Sequence, residues 1–143
     1  MKNIIAIPCH NQNLNDCFRL LSKQTIKPEC ILILNDHSDT LLFDSFNLNI
    51  KVFNCEKYGR AETRNRGFVE FLKLDGDNLI FIDGDCIPEN EKFIENYEFY
   101  LNSYDLIFGT RIHSKINKNI TLVASDLLTR KYGQFIFKKR IRL

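Results

Sequence analysis

The sequence predicts an α/β protein: a mainly parallel sheet sandwiched between helices. Short runs rich in Ile, Leu, Val and Phe alternate with stretches of helical periodicity. Those runs are apolar throughout rather than at every second residue, which is the pattern of strands covered on both faces. Helical stretches separate most of them, which implies right-handed crossovers between parallel neighbours. The 143 residues fit one domain of this Rossmann-like type.

The first strand is read over Asn3–Ile7, "NIIAI", ending at Pro8. From Asn13 onward, Leu14, Cys17, Phe18 and Leu21 recur at helical spacing. Cys30–Leu34 ("CILIL") is a second continuous apolar strand, and Lys51–Cys55 ("KVFNC") a shorter third. Arg60–Leu74 reads as a helix with Phe68, Phe71 and Leu72 turned inward. Asn78–Ile82 is the fourth strand. Pro88 stands where the first position of a helix is expected, ahead of acidic residues that favour a helix start. Asp105–Gly109 reads as a fifth strand, and Ile120, Val123, Ala124, Leu127 and Leu128 form a last helical stripe.

Composition narrows the class. Hydrophobic residues at 44% and charged residues at 27% are ordinary for a soluble globular chain. The five cysteines, at 9, 17, 30, 55 and 86, form no C-x-x-C pair and are odd in number, so neither a disulfide framework nor a zinc site is expected. The apolar run at the start is too short for a signal peptide, and no membrane-spanning run follows. A cytoplasmic protein is expected. Six of the twenty basic residues and no acid lie in residues 130–143, so the body is mildly acidic and the tail basic. No nucleic-acid partner is expected. The tail, with Phe135 and Phe137 among its cations, could contact an anionic membrane surface peripherally, or could simply be a solvated end.

In an open α/β sheet, ligands bind outside the carboxyl ends of the strands. Pro8, His10 and Asn11 follow strand one, and Asn35, Asp36 and Ser38 follow strand two. Asp83 and Asp85 follow strand four, and Thr110, Arg111 and His113 follow strand five. Asp83-Gly84-Asp85 is the sharpest motif. An Asp-Gly turn can merely end a strand, but two carboxylates one residue apart repel unless a cation bridges them. Mg²⁺ or Mn²⁺ commonly uses one or two carboxylates plus substrate phosphates, and Gly84 would let a ligand come close to the backbone. "ILNDHSD" could cap the next helix or receive hydrogen bonds from a base or ribose. "GRAETRNRGF" carries Arg60, Arg64 and Arg66, either a solvated basic face or an arginine fork aimed at a phosphate.

Taken together these segments resemble the family 2 glycosyltransferases of the GT-A fold. "IPCHNQ" is similar to their opening strand and turn. "LSKQTIKPECILILNDHSD" is similar to their Gln-Thr, Pro and Asp-bearing V-D-D-G-S turn. "GRAETRNRGF" resembles their G-x-x-x-A-R-N-x-G helix start, and "FIDGDCIP" their D-x-D loop. The resemblance covers about residues 3–111, which implies a nucleotide-binding core over 1–111 and a helical basic segment over 112–143. Asn35 and His37 depart from the family's Asp and Gly, and Thr63 stands where Ala is common.

The resemblance implies transfer of a sugar from a nucleotide-diphosphate sugar, a UDP-sugar being favoured, with Mn²⁺ or Mg²⁺ as cofactor and inversion at the sugar. It implies that Asp36 contacts the base, that Arg64 lies near the base or diphosphate, that Asp83 holds the ribose or the metal's water shell, and that Asp85 binds the metal. The implied donor site is Pro8, Asn11, Asp36, Ser38, Arg64, Asn65, Asp83 and Gly84, with Asp83 and Asp85 serving the metal.

Family members carry a further acidic Glu-Asp segment that supplies the general base. No such pair follows Asp85, and Asp126 is the sole carboxylate after Asp105, within an apolar helical pattern that suits a surface position. No catalytic residue is therefore assigned. The chain reads as truncated after the donor-binding half: a minimal enzyme, half of a split site completed by a second chain, or a binding module without turnover. A nucleotidyltransferase would show a Gly-rich basic loop after strand one, which "PCHNQN" is not. A receiver domain would want Lys at the end of strand five, where "FGTR" has Arg.

Overall fold

A computed structural model describes residues 1–56, 59–101 and 103–109. The chain forms two units, Met1–Asn96 and Tyr97–Leu143, and the sheet belongs to the first. Its elements run β1 (Asn3–Cys9), α1 (Asn15–Leu21), β2 (Cys30–Asp36), β3 (Ile50–Cys55), α2 (Gly59–Lys73), β4 (Asn78–Phe81) and α3 (Phe93–Leu101). The four strands are parallel, in the order β3-β2-β1-β4.

β1 and β2 are the buried centre, as their unbroken apolar runs predict. Ile4, Ile5, Ala6, Ile7 and Ile31 to Leu34 are all sealed from solvent. Each large side chain among them contributes about 1.5–3 kcal/mol relative to an exposed position. Ile4, Ala6, Leu32 and Leu34 turn to one face, where Phe53, Phe71, Leu74 and Leu79 pack on them. The alternate residues fill the opposite face. The β1–α1–β2 and β3–α2–β4 crossovers run in opposite directions across the sheet, so right-handed connections set α1 and α2 on opposite faces. The buried stripe of α1 is the expected one: Leu14, Cys17, Phe18 and Leu21.

β1 runs on past Ile7 through Pro8 to Cys9. Pro8 is tolerated in this central strand because the β4 ladder stops at the Ala6–Phe81 pair, so no strand needs the missing Pro8 N–H. The Pro8 carbonyl instead accepts the Gly84 N–H at 3.1 Å.

Three expectations need correction. Phe68 and Leu72 do not face inward: they are 51% and 61% exposed. The inner face of α2 is Thr63, Gly67, Glu70 and Phe71. Gly67 brings the helix so near the sheet that an added Cβ would lie 2.7 Å from Leu34 Cδ1. That contact rotates the helix about Gly67, and Phe68 and Leu72 fall one residue off the buried line. Buried Glu70 is held by Arg66 and Lys73, each at 2.9 Å.

Pro88 does not begin a helix; α3 starts at Phe93. Residues 89–92 are bonded to the loop after α1 instead. Gln24 donates to the Asn90 carbonyl at 2.8 Å, and Thr25 N–H to the Glu91 carbonyl at 2.8 Å. The Gln24 Oε1 atom then accepts the Ile94 N–H at 3.0 Å, satisfying one early donor of the delayed helix.

Asp105–Gly109 is not a strand. Leu106 and Phe108 are both exposed, so the apolar composition that predicts a two-sided strand is not matched by burial. Thr110, Arg111, His113, the last helical stripe, Asp126 and the basic tail lie outside the described residues. Among the described residues, no helix is long and apolar enough to cross a membrane.

Candidate functional site

The strand order reverses at β1: β2 and β3 lie on one side and β4 on the other. At such a reversal the connections leave to opposite faces and open a crevice beyond the carboxyl ends. Here that point lies between the ends of β1 and β4.

The loops after β1 and β2 are tied to each other. The Asn11 N–H donates to Ser38 Oγ at 2.9 Å, and Asn11 Oδ1 accepts the N–H groups of Asp39 (2.8 Å) and Thr40 (3.2 Å). His10 Nδ1 lies 2.8 Å from the Asp36 carbonyl oxygen, which fixes that nitrogen as the donor. Asn35 donates to Asn54 Oδ1 at 2.9 Å and accepts the Ser38 N–H at 3.1 Å. Asn11 and Ser38 therefore brace the loops, and Asn35 joins β2 to β3.

His37 has φ 56°, in the left-handed region that glycine enters without cost. This is the position at which the related turn carries Gly. His37→Gly is expected to stabilise the chain by about 1 kcal/mol, because relief of the left-handed penalty outweighs glycine's extra entropy. A thermal melt checks it; a lower midpoint would show that the imidazole contributes more than its backbone costs.

α2 supplies the arginines. Its first residue, Gly59, has φ 76°, and its N–H donates to Asp36 Oδ2 at 3.2 Å. The carboxylate at the end of β2 thus caps the positive end of α2. Thr63 is buried and donates to the Gly59 carbonyl at 2.8 Å. Of the three arginines, Arg66 is engaged by Glu70 and lies over the Phe53 ring, 5.6 Å from its centroid. Arg60 and Asn65 are exposed. Only Arg64 reaches the strand ends, where its Nη2 donates to Asp83 Oδ1.

The loop after β4 is stitched to β1. Ile82 N–H donates to the Ala6 carbonyl and Gly84 N–H to the Pro8 carbonyl, both at 3.1 Å. Gly84 is pressed against the end of β1: an added Cβ would meet Cys9 Cβ at 2.8 Å, and Gln12 Oε1 and the Pro8 oxygen at 3.1 Å. The Cys86 N–H returns to the Asp83 carbonyl at 2.8 Å, closing a tight turn. That turn gathers one ligand atom each from Asp83, Asp85 and Cys86 within 4.8 Å of one another.

The two carboxylates coexist because they have different partners. Asp83, half-buried, faces the Arg64 guanidinium. Asp85 is exposed and receives the Cys86 thiol at 3.6 Å. Hard carboxylate oxygens at a solvent-open turn are a donor set that suits Mg²⁺ or Mn²⁺. Cys86 belongs to this group although its type does not announce a hard-ion ligand; its place directly after Asp-Gly-Asp is the only signal. The other four thiols are buried. Burial pushes Cys9 up to about 11, with Cys55 and Asp36 adding to it, and pushes Cys17 up to about 12.

Arg64, Asp83, Gly84 and Asp85 thus come together beside the Pro8 carbonyl, with Asp36 at the end of β2 on the same edge of the sheet and Asn65 exposed on α2. Comparison with curated proteins and with solved structures finds no match. The sequence pattern described as "Glycosyl transferase family 2" matches residues 4–142, well past the segment that carries the motifs. The parallel Rossmann-like sheet is the architecture that such a chain requires. Spanning nearly the whole sequence, the match shows that the chain belongs to glycosyl transferase family 2.

Proposed function

We propose that the chain binds a nucleotide-diphosphate sugar, a UDP-sugar for preference, together with Mn²⁺ or Mg²⁺, for metal-dependent transfer of the sugar with inversion. The observation that carries this reading is the meeting of Arg64, Asp83 and Asp85 at the β1–β4 switch point of a family 2 glycosyltransferase chain. Asp85, with Asp83, would hold the cation, which when bound neutralises charge gathering on the departing diphosphate. Arg64, a planar fork on a rigid helix, suits a phosphate better than a point charge does. Asp36 lies at the mouth of β2, where its carboxylate caps α2 and is placed to accept from a base or ribose hydroxyl. The acceptor hydroxyl would need a separate base, and none of the described residues is assigned that role.

Calorimetry with UDP and with uridine tests the donor site. Asp36→Ala is expected to weaken UDP binding by about 1–3 kcal/mol. It is also expected to lower the melting temperature, since α2 loses its cap. Arg64→Ala is expected to weaken UDP binding while leaving uridine binding nearly unchanged. If both variants bind UDP as the native chain does, the donor lies elsewhere.

A further inference from the structure

The Arg64–Asp83 ion pair joins α2 to the turn proposed to hold the cation. Arg64 Nη2 contacts Asp83 Oδ1, and the Asp83 and Asp85 oxygens lie within the same 4.8 Å cluster. A divalent ion on those oxygens and a guanidinium on one of them would be two cations in near contact. They repel strongly, the more so in the partly buried turn. We propose that Arg64 is a resident counter-cation that competes with the metal for Asp83, so that metal and diphosphate bind cooperatively. The diphosphate, by taking the guanidinium onto its own oxygens, frees Asp83 for the ion. This rests on the donor-site reading above and adds a coupling to it.

The local structure allows the exchange. The start of α2 is fixed, because Thr63 is buried and Gly67 is pressed onto Leu34 and Phe81. The Arg64 side chain is not fixed: it is 37% exposed, and its second contact, Nη1 to the Arg60 carbonyl, is a long 3.4 Å. Its head can therefore swing by rotamer change while its Cα stays put, a motion far faster than binding. The ion pair is also half open to water, so little stability is lost on breaking it. Coupling of this kind is reciprocal: whatever factor UDP adds to metal affinity, the metal adds to UDP affinity.

The test is titration of the full chain with Mn²⁺, followed by the paramagnetic resonance of the free ion, with and without UDP. Arg64→Ala is expected to bind Mn²⁺ alone on the order of tenfold more tightly than the native chain, as removal of a neighbouring cation predicts. Its Mn²⁺ affinity should also gain less from UDP. Arg64→Lys keeps the charge and is expected to bind Mn²⁺ alone like the native chain. Asp85→Asn should bind Mn²⁺ poorly in every case. Equal Mn²⁺ affinity in the native chain and Arg64→Ala, with an equal gain from UDP, overturns the competition and leaves the metal site standing. Absence of Mn²⁺ binding in all proteins, with UDP present or not, removes the donor-site reading and the coupling together.

Discussion

Asp85→Asn is expected to abolish the metal dependence of nucleotide binding while leaving the fold intact. Asp85 is exposed, on a turn outside the sheet, where it receives the neighbouring Cys86 thiol. Surface substitutions of this kind usually alter stability by no more than about 0.5 kcal/mol. The amide is close to the carboxylate in shape but has no charge and only one acceptor oxygen. Loss of an outer partner of a metal ligand costs about 10–100-fold in metal affinity, and loss of a direct ligand should reach or exceed the upper end. A hundredfold loss is about 2.7 kcal/mol. Measured by calorimetry, UDP affinity of the native chain should rise with Mn²⁺, and that of Asp85→Asn should not. If Mn²⁺ enhances UDP binding equally in both, Asp85 is not the ligand. A melting temperature well below native would instead give Asp85 a structural role that its exposure does not predict.

What the sequence made legible follows from which signals are local. β1 and β2 are recognisable because burial on both faces demands an unbroken apolar run, and Asn3–Ile7 and Cys30–Leu34 are such runs. The strand ends follow at once, so Asp36, Asp83 and Asp85 are marked by their place in the sequence alone. The inner face of α2 was not legible. Three aromatic or aliphatic residues, Phe68, Phe71 and Leu72, outweigh one glycine in any periodicity argument. Yet the close approach at Gly67 sets which side meets the sheet, and a glycine gives no hydrophobic signal. Glu70 is buried for the same reason, since Arg66 and Lys73 neutralise it only once the helix has formed.

The start of α3 was illegible because the residue that caps it is distant. Pro88 and the acids after it are a sound local argument, but Gln24, some seventy residues earlier, accepts the Ile94 N–H and directs the chain. Likewise the three arginines of α2 look alike in sequence. Only Glu70 and Phe53, on the flank of the helix, show that Arg66 is engaged there and leave Arg64 to the site.

Gly84→Ala is expected to be the most damaging single-methyl change in the described residues near the site. Gly84 could be glycine to let a ligand approach, or because the loop is packed against β1. The contacts favour the second. An alanine Cβ would lie 2.8 Å from Cys9 Cβ and 3.1 Å from the Pro8 oxygen, atoms fixed to the central strand. Neither can rotate away, so the 83–86 turn must lift off β1 and stretch the Gly84–Pro8 hydrogen bond. Overpacking of this kind costs about 1–3 kcal/mol. For a chain of roughly this size that lowers the melting temperature by about 2–4 °C for each kcal/mol. Gly67→Ala is the control. Its closest clash, 2.7 Å, is with a side-chain end, Leu34 Cδ1, and alanine's better helix propensity returns up to about 1 kcal/mol. Gly84→Ala should therefore melt at the lower temperature and should also bind UDP with Mn²⁺ more weakly, since Asp83 and Asp85 move with the turn. A Gly84→Ala chain that melts like the native protein yet loses UDP binding would reverse the argument, making the glycine a provision for the ligand rather than for the strand.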